Sequence, residues 1–218
     1  MSWVDLSHPI YHGMPKIPAL PEVCVQRFFS LEKGHPLNVT EIHLPCHAGT
    51  HVDAPIHVDP QGKSIEELPL ESFVGPGAVI SVQKKGGEAV TAIDLQASGL
   101  TVIAGDIVML HTGWDEKFEG PEYNLHPYLS VDAAEWLVNR RVKLFGLDCI
   151  TVDLPTPLRQ KGFDFPVHRT LLGNGVLIAE NVVNLGRIVG KKTRIMAFPL
   201  SVRGSDAGHA RIVAEVLG

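Results

Sequence analysis

Three histidines and an aspartate fall within eleven residues, His47-Ala48-Gly49-Thr50-His51-Val52-Asp53-Ala54-Pro55-Ile56-His57. Imidazole nitrogen mixed with carboxylate oxygen suits zinc, manganese or iron better than calcium or magnesium. His47 and His51 are four apart, so in a tight turn or a helical start both rings face one way. Asp53, two residues on, can close on the same point. Gly49 lets the backbone pass close to an ion. The Thr50 hydroxyl and the fixed φ of Pro55 stiffen the turn. A lone histidine is usually just a hydrogen-bonded side chain, but a purely structural loop has no use for this many imidazoles.

His57 lies beyond Pro55. A proline restrains the residue before it to extended geometry, so the chain is expected to leave the metal there. His57 then stands near the ion without binding it, where a proton donor or acceptor is useful. A fourth ligand is the bland alternative. His43 alternates with Ile42 and Leu44 and is expected to face away, and His35 carries a still weaker signal.

The elements that must position these residues are mostly strands. Glycine and proline, 21 and 16 of them, break the chain at short intervals. Between the breaks lie apolar, β-branched runs at 23–29, 39–44, 78–82, 107–110, 142–147, 176–178 and 194–198, each of strand length. The clearest helix is 131–141. Ser130 is placed to cap it, Asp132 sits in its first turn, and Arg140 and Arg141 close its last turn against the axial dipole. Ala134, Leu137 and Val138 form its apolar stripe. Shorter helices are expected at 91–97, 167–172 and 210–217. The polar and aromatic loop 113–127, with Trp114, Phe118 and Tyr123, reads as a lid or an oligomer contact. The pattern is one α/β domain over 1–218.

The totals exclude several partner classes. Twenty-four acidic against 19 basic residues give a net charge of −5, and the basic residues are scattered. No stripe exists to follow a phosphate backbone, so nucleic acid is not expected. No run approaches the ~18 uncharged apolar residues that cross a bilayer, and the N-terminus lacks a signal peptide's basic start and apolar run. Cys24, Cys46 and Cys149 form no CxxC pair, so a reducing cytoplasm is the expected compartment.

The segment His47-x-Gly-Thr-His51-x-Asp53-x-Pro55-x-His57 resembles the signature of the cyclase family of metal-dependent hydrolases, which includes bacterial kynurenine formamidases and isatin hydrolases. Val4-Asp5-Leu6-Ser7-His8-Pro9-Ile10, His12-Gly13-Met14-Pro15, Val142-Lys143-Leu144-Phe145-Gly146-Leu147-Asp148 and Met196-Ala197-Phe198-Pro199-Leu200 extend the resemblance over most of the chain. It implies a swivelling β/β/α fold with a mixed, strand-rich core. It also implies a homodimer or homotetramer, in which a neighbour's N-terminal segment helps to close the pocket.

The resemblance further implies two divalent metal ions, zinc first and manganese second. His47 and His51 would bind one, Asp53 would bridge, and His168 and Glu180, twelve apart, would complete the pair. His57 would be the proton-transfer histidine. The implied reaction is attack of metal-activated water on a small-molecule amide, first of all N-formylkynurenine, giving kynurenine and formate. Kynurenine-directed members tend to carry a tryptophan before a proline in the N-terminal loop, where this chain has Ile17-Pro18. Ile17 packs against a ring but offers no π face, which keeps a cyclic amide such as isatin, or a lactone, as the alternative. Phe28 and Phe165 are further candidate pocket walls, although phenylalanines are more often core.

The competing non-catalytic reading is a structural metal site. Such sites favour four closed ligands rich in cysteine. Cys46 adjoins His47, but a neighbour in an extended chain points the other way.

Overall fold

A computed structural model describes residues 2–217. Among these residues the chain forms, in order, β1 (Ser2–Asp5), β2 (Cys24–Phe29), β3 (Val39–His43), β4 (His51–Asp53), β5 (Val74–Ser81), β6 (Ala89–Val90), α1 (Ala92–Ala97), β7 (Ile107–His111), β8 (Tyr128–Leu129), α2 (Val131–Asn139), β9 (Leu144–Leu147), α3 (Pro166–Gly173), β10 (Leu177–Glu180), β11 (Thr193–Met196), β12 (Ala207–His209) and β13 (Val213–Val216). Nine strands make one sheet in the order β1-β13-β11-β5-β7-β9-β10-β4-β12, while β2–β3 and β6–β8 are separate two-stranded ribbons. This is a single mixed α/β domain. No helix among the described residues is long and apolar enough to cross a membrane.

The centre of the sheet, β5-β7-β9-β10, is parallel. Parallel strands are covered on both faces, which explains the unbroken apolar runs Ile107-Val108-Met109-Leu110 and Leu144-Phe145-Gly146-Leu147. Alternate residues enter two different cores. Val108, Leu110, Phe145 and Leu147 pack with Leu95, Leu137 and Leu171 of the three helices. Ile107, Met109 and Leu144 pack with Val52, Phe73, Ile195 and Ala214. Outside the parallel centre the pairing turns antiparallel, through β4 and β12 at one end and β11, β13 and β1 at the other.

The expected strands are present, although β5 starts earlier than the apolar run, at Val74. Gly77 lets β11 come close there: a Cβ on it would stand 2.4 Å from Thr193 Oγ1. Helices form at 92–97, 131–139 and 166–173, as expected, but two expectations fail. Segment 210–217 is not a helix, because Ile212 and Ala214 are buried in alternation with Val213 and Glu215. That period of two makes β13, which pairs β1 and β11. Ser130 does not cap α2 with its side chain; its hydroxyl donates instead to Val90 O at 3.0 Å.

Loop 113–127 is not a free lid. Trp114, Phe118 and Tyr123 are buried in the core. The Trp114 indole donates to Tyr123 O at 3.0 Å, and the Tyr123 hydroxyl donates to Asn181 Oδ1 at 2.8 Å. At the loop's end the fully buried His126 donates Nδ1–H to Pro127 O, and its Nε2 meets no partner. Burial pushes the pKa of this imidazole from the ordinary 6.5 down to about 4. The unfolded chain therefore takes up this proton at a higher pH than the folded one. Stability from this group is complete above pH 6.5 and drains away as pH falls toward about 4. The loss amounts to about 3 kcal/mol at most. Denaturant unfolding of His126→Gln between pH 7 and 4 should show a flatter loss of stability than the wild type. Parallel pH profiles for the two proteins would refute this.

Candidate metal centre

The site lies where the parallel sheet turns antiparallel. His51 and Asp53 are two apart on β4, so they share a face, and Glu180 on β10 stands directly across from His51. Of the two local geometries expected for the His47–Asp53 segment, the structure has the tight turn and not the helical start: His47 sits in the turn, and His51 begins a strand. Gly49, at φ +67°, makes that turn. Its carbonyl accepts from His51 Nδ1 at 2.7 Å and from Asn181 Nδ2 at 3.0 Å. Thr50 ties the loop across the fold, donating to Asn181 O at 2.6 Å. His168 comes from the first turn of α3, which Pro166 opens. The Asp153 carboxylate accepts from the backbone N–H groups of Val167 and His168, so it both caps that helix and aligns the imidazole.

Each of the three buried or half-buried rings spends one nitrogen on a fixed acceptor. His51 Nδ1 donates to Gly49 O, His168 Nδ1 to Asp153 Oδ2 at 2.6 Å, and His47 Nε2 to Asp206 Oδ2 at 2.8 Å. The remaining nitrogens converge. His47 Nδ1, His51 Nε2 and Asp53 Oδ1 form a triangle with sides of 3.0, 3.3 and 3.3 Å. Ligands ~2.0–2.1 Å from a tetrahedral zinc stand ~3.3–3.4 Å from one another.

A second set shares the same carboxylates. His168 Nε2 is 3.3 Å from Glu180 Oε1 and 3.7 Å from Asp53 Oδ2, and Glu180 Oε2 is 3.6 Å from His51 Nε2. Both oxygens of the fully buried Asp53 lack a hydrogen-bond partner despite these neighbours. Lone pairs facing lone pairs around a buried carboxylate fit a divalent cation, with outer acceptors fixing each ring as metal ligands require. Cys46 takes no part, since its Sγ faces Ser205 Oγ.

The electrostatics agree. Burial opposes charge on His47, yet Asp53 and Asp206 outweigh it and push its pKa up to about 10. Burial likewise opposes charge on His168, and Asp153, Asp53 and Glu180 raise it well above the usual range. Asp53 is held well below the ordinary carboxylate value because the charges of His51 and His47 overcome its burial.

His57 stands beside it. A 3-10 turn, Pro55–His57, swings its ring back to 4.2 Å from that of His47 and 5.5 Å from that of His168. Its Nδ1 donates to Asp206 Oδ2 at 3.0 Å. Asp206, in the loop before β12, thus holds both His47 and His57. Neither Asp206 nor Asp153 stands out in the sequence, because both are single carboxylates far from the motif; Gly204-Ser205 and Pro155 beside them mark only turns.

A cavity of about 410 Å³ opens onto His47, His57, His168 and Glu180, with Ile17, Leu20, Val58 and Phe165 among its walls. Ile17 and Phe165 therefore lie where expected. Phe28 does not: it projects from the β2–β3 ribbon, 58% exposed, with its ring against Phe29 and away from the cavity. His35 and His43 also stay on that ribbon.

Fold and site together define a divalent-metal centre open to a small-molecule cavity, the arrangement of a metal-dependent hydrolase rather than of a closed structural site. The chain belongs to the Cyclase family, whose family model matches residues 4–154. It is similar to the kynurenine formamidase of Bacillus cereus, with 30% identity over 212 residues, 97% of this chain and 96% of the relative. A solved structure described as a potential metal-dependent hydrolase with cyclase activity superposes with a TM-score of 0.79 at 27% identity, covering 98% of this chain and 96% of the other. An isatin hydrolase bound to the product analogue thioisatinate shares the fold, with a TM-score of 0.89 at 21% identity over 99% of this chain and 92% of the other.

Because His47 and His168 hold protons that a cation must displace, metal uptake is coupled to pH. Titrating metal-free protein with zinc at pH 7, in buffers of different ionisation enthalpy, should show release of about two protons. Apparent affinity should strengthen as pH rises. Uptake with no proton release would contradict the assignment.

Proposed function

We propose that this protein is an arylformamidase, hydrolysing N-formylkynurenine to kynurenine and formate with two divalent cations, zinc first and manganese second. The observation that carries this is the convergence of His47 Nδ1, His51 Nε2 and His168 Nε2 on the orphaned Asp53 carboxylate. His47, His51 and Asp53 would hold one ion, and Asp53, His168 and Glu180 the other. Cations there supply Lewis acidity, polarising a carbonyl and bringing the pKa of water to about 7.

The side chains do the rest. Ile17, Leu20, Val58 and Phe165 pack on the aryl ring and exclude bulk water. His57, with Nδ1–H held by Asp206, presents Nε2 for proton transfer. The formyl C–N bond breaks only if its nitrogen leaves as a neutral amine, and Nε2 delivers that proton. Water supplies the hydroxyl that completes formate. The aliphatic Ile17, in place of a stacking aromatic, favours a second reading, a cyclic amide such as isatin, which the same centre would open at its amide bond.

Metal-free protein restored with zinc or manganese, assayed on N-formylkynurenine, isatin and a simple lactone, tests both readings. Turnover of the formamide, abolished by chelation, is expected. His57→Ala should keep its metal content and lose about 10²–10⁴-fold in kcat. Wild-type turnover by that variant would remove His57 from the mechanism, and failure on all three substrates would overturn the proposed activity.

A further inference from the structure

Arg159 also lines the cavity that reaches His57, His168 and Glu180, and hydrolysis as described leaves it without a task. The residue is half-buried. Among the described residues its side chain makes one hydrogen bond, from Nε to Leu154 O at 2.7 Å, and its Nη2 is enclosed with no partner. No carboxylate among the described residues forms an ion pair with it; Asp153 and Glu180 act on it only from further off, whereas Arg211 holds Asp5 at 2.8 Å. The neighbouring cavity residue Arg169 is already committed, to Asp164 O and Val58 O.

Two phenyl rings frame the Arg159 guanidinium, Phe163 at 5.1 Å and Phe165 at 4.8 Å. Phe165 holds this place from a left-handed backbone, φ +54°, a conformation that a bulky residue adopts only where its surroundings impose it. The arginine is thus fixed in direction, anchored through Nε and flanked by aromatic faces, with an end nitrogen that the protein leaves unpaired. An enclosed guanidinium with no acid in direct contact is costly unless an anion meets it, and a carboxylate is the group that its fork matches best.

We propose that Arg159 recognises a carboxylate carried by the substrate away from the scissile C–N bond, so that the protein selects amides that bear a carboxylate over those that lack one. The inference rests on the proposed amide hydrolysis at the adjoining centre, and its role is binding rather than bond cleavage.

The test compares N-formylkynurenine with 2-formamidoacetophenone, the same aryl formamide without the carboxylate-bearing side chain, using metal-restored protein. The wild type should favour the carboxylate-bearing substrate in kcat/KM. Arg159→Met should shrink that preference by about 10–100-fold, through KM rather than kcat, and Arg159→Lys should restore part of it. An unchanged preference in Arg159→Met would overturn the proposal; it would mean that the carboxylate is bound elsewhere, for example by the cations. Calorimetric titration with kynurenine and 2-aminoacetophenone reads the same preference without turnover. If neither formamide is cleaved, the proposed reaction fails, and the titration alone decides the role of Arg159: loss of the preference in Arg159→Met supports it, and retention overturns it.

Discussion

A carboxylate that is fully buried and receives no hydrogen bond is the constraint on which the rest of this structure depends. Isolated in a low-dielectric interior, an ionised Asp53 costs several kcal/mol. The surrounding polar groups do not relieve it in the ordinary way, because three imidazoles have already given their fixed N–H groups to Gly49 O, Asp153 and Asp206. What faces Asp53 is a set of ring nitrogens able to carry either protons or a cation. The fold therefore stores a demand for positive charge at one point.

That point is fixed by topology. Strand β10 is the last parallel strand of the sheet, and β4 pairs with it antiparallel, so residues distant in sequence stand opposite one another on one face. Glu180 meets His51 by register, and α3, which immediately precedes β10, brings His168 over them. Asp206 enters from the loop before β12, on the other flank of β4, and couples the candidate ligand His47 to the proton-transfer candidate His57 through one oxygen. Metal-site geometry and proton-transfer geometry thus share a single support.

Much of this was legible in the sequence. Runs of β-branched residues between glycines and prolines located the central strands, and Ser130, Asp132 and the apolar stripe of Ala134, Leu137 and Val138 located helix α2. The motif from His47 to His57 carried its own chemistry, since no structural loop gathers those residue types. Other parts were out of reach for physical reasons. His168 and Glu180 came only through family resemblance, because their neighbourhood to the motif is created by strand pairing. Asp153 and Asp206 act through single hydrogen bonds that leave no periodic trace. The C-terminal segment 210–217 is a strand where a helix is expected, because burial follows the alternation of Ile212 and Ala214. Phe28 looked like a pocket wall by type, but the β2–β3 ribbon turns it outward. Loop 113–127 reads as a lid or an oligomer contact by composition, whereas its aromatics Trp114, Phe118 and Tyr123 are core.

Anomalous diffraction from crystals of zinc-restored protein, recorded on both sides of the zinc absorption edge, reads the central claim most directly. An anomalous peak is expected within coordination distance of His47 Nδ1, His51 Nε2 and Asp53 Oδ1, and a second touching Asp53 Oδ2, His168 Nε2 and Glu180. A fully occupied zinc bound elsewhere, with Asp53 hydrogen-bonded to protonated imidazoles, would contradict it.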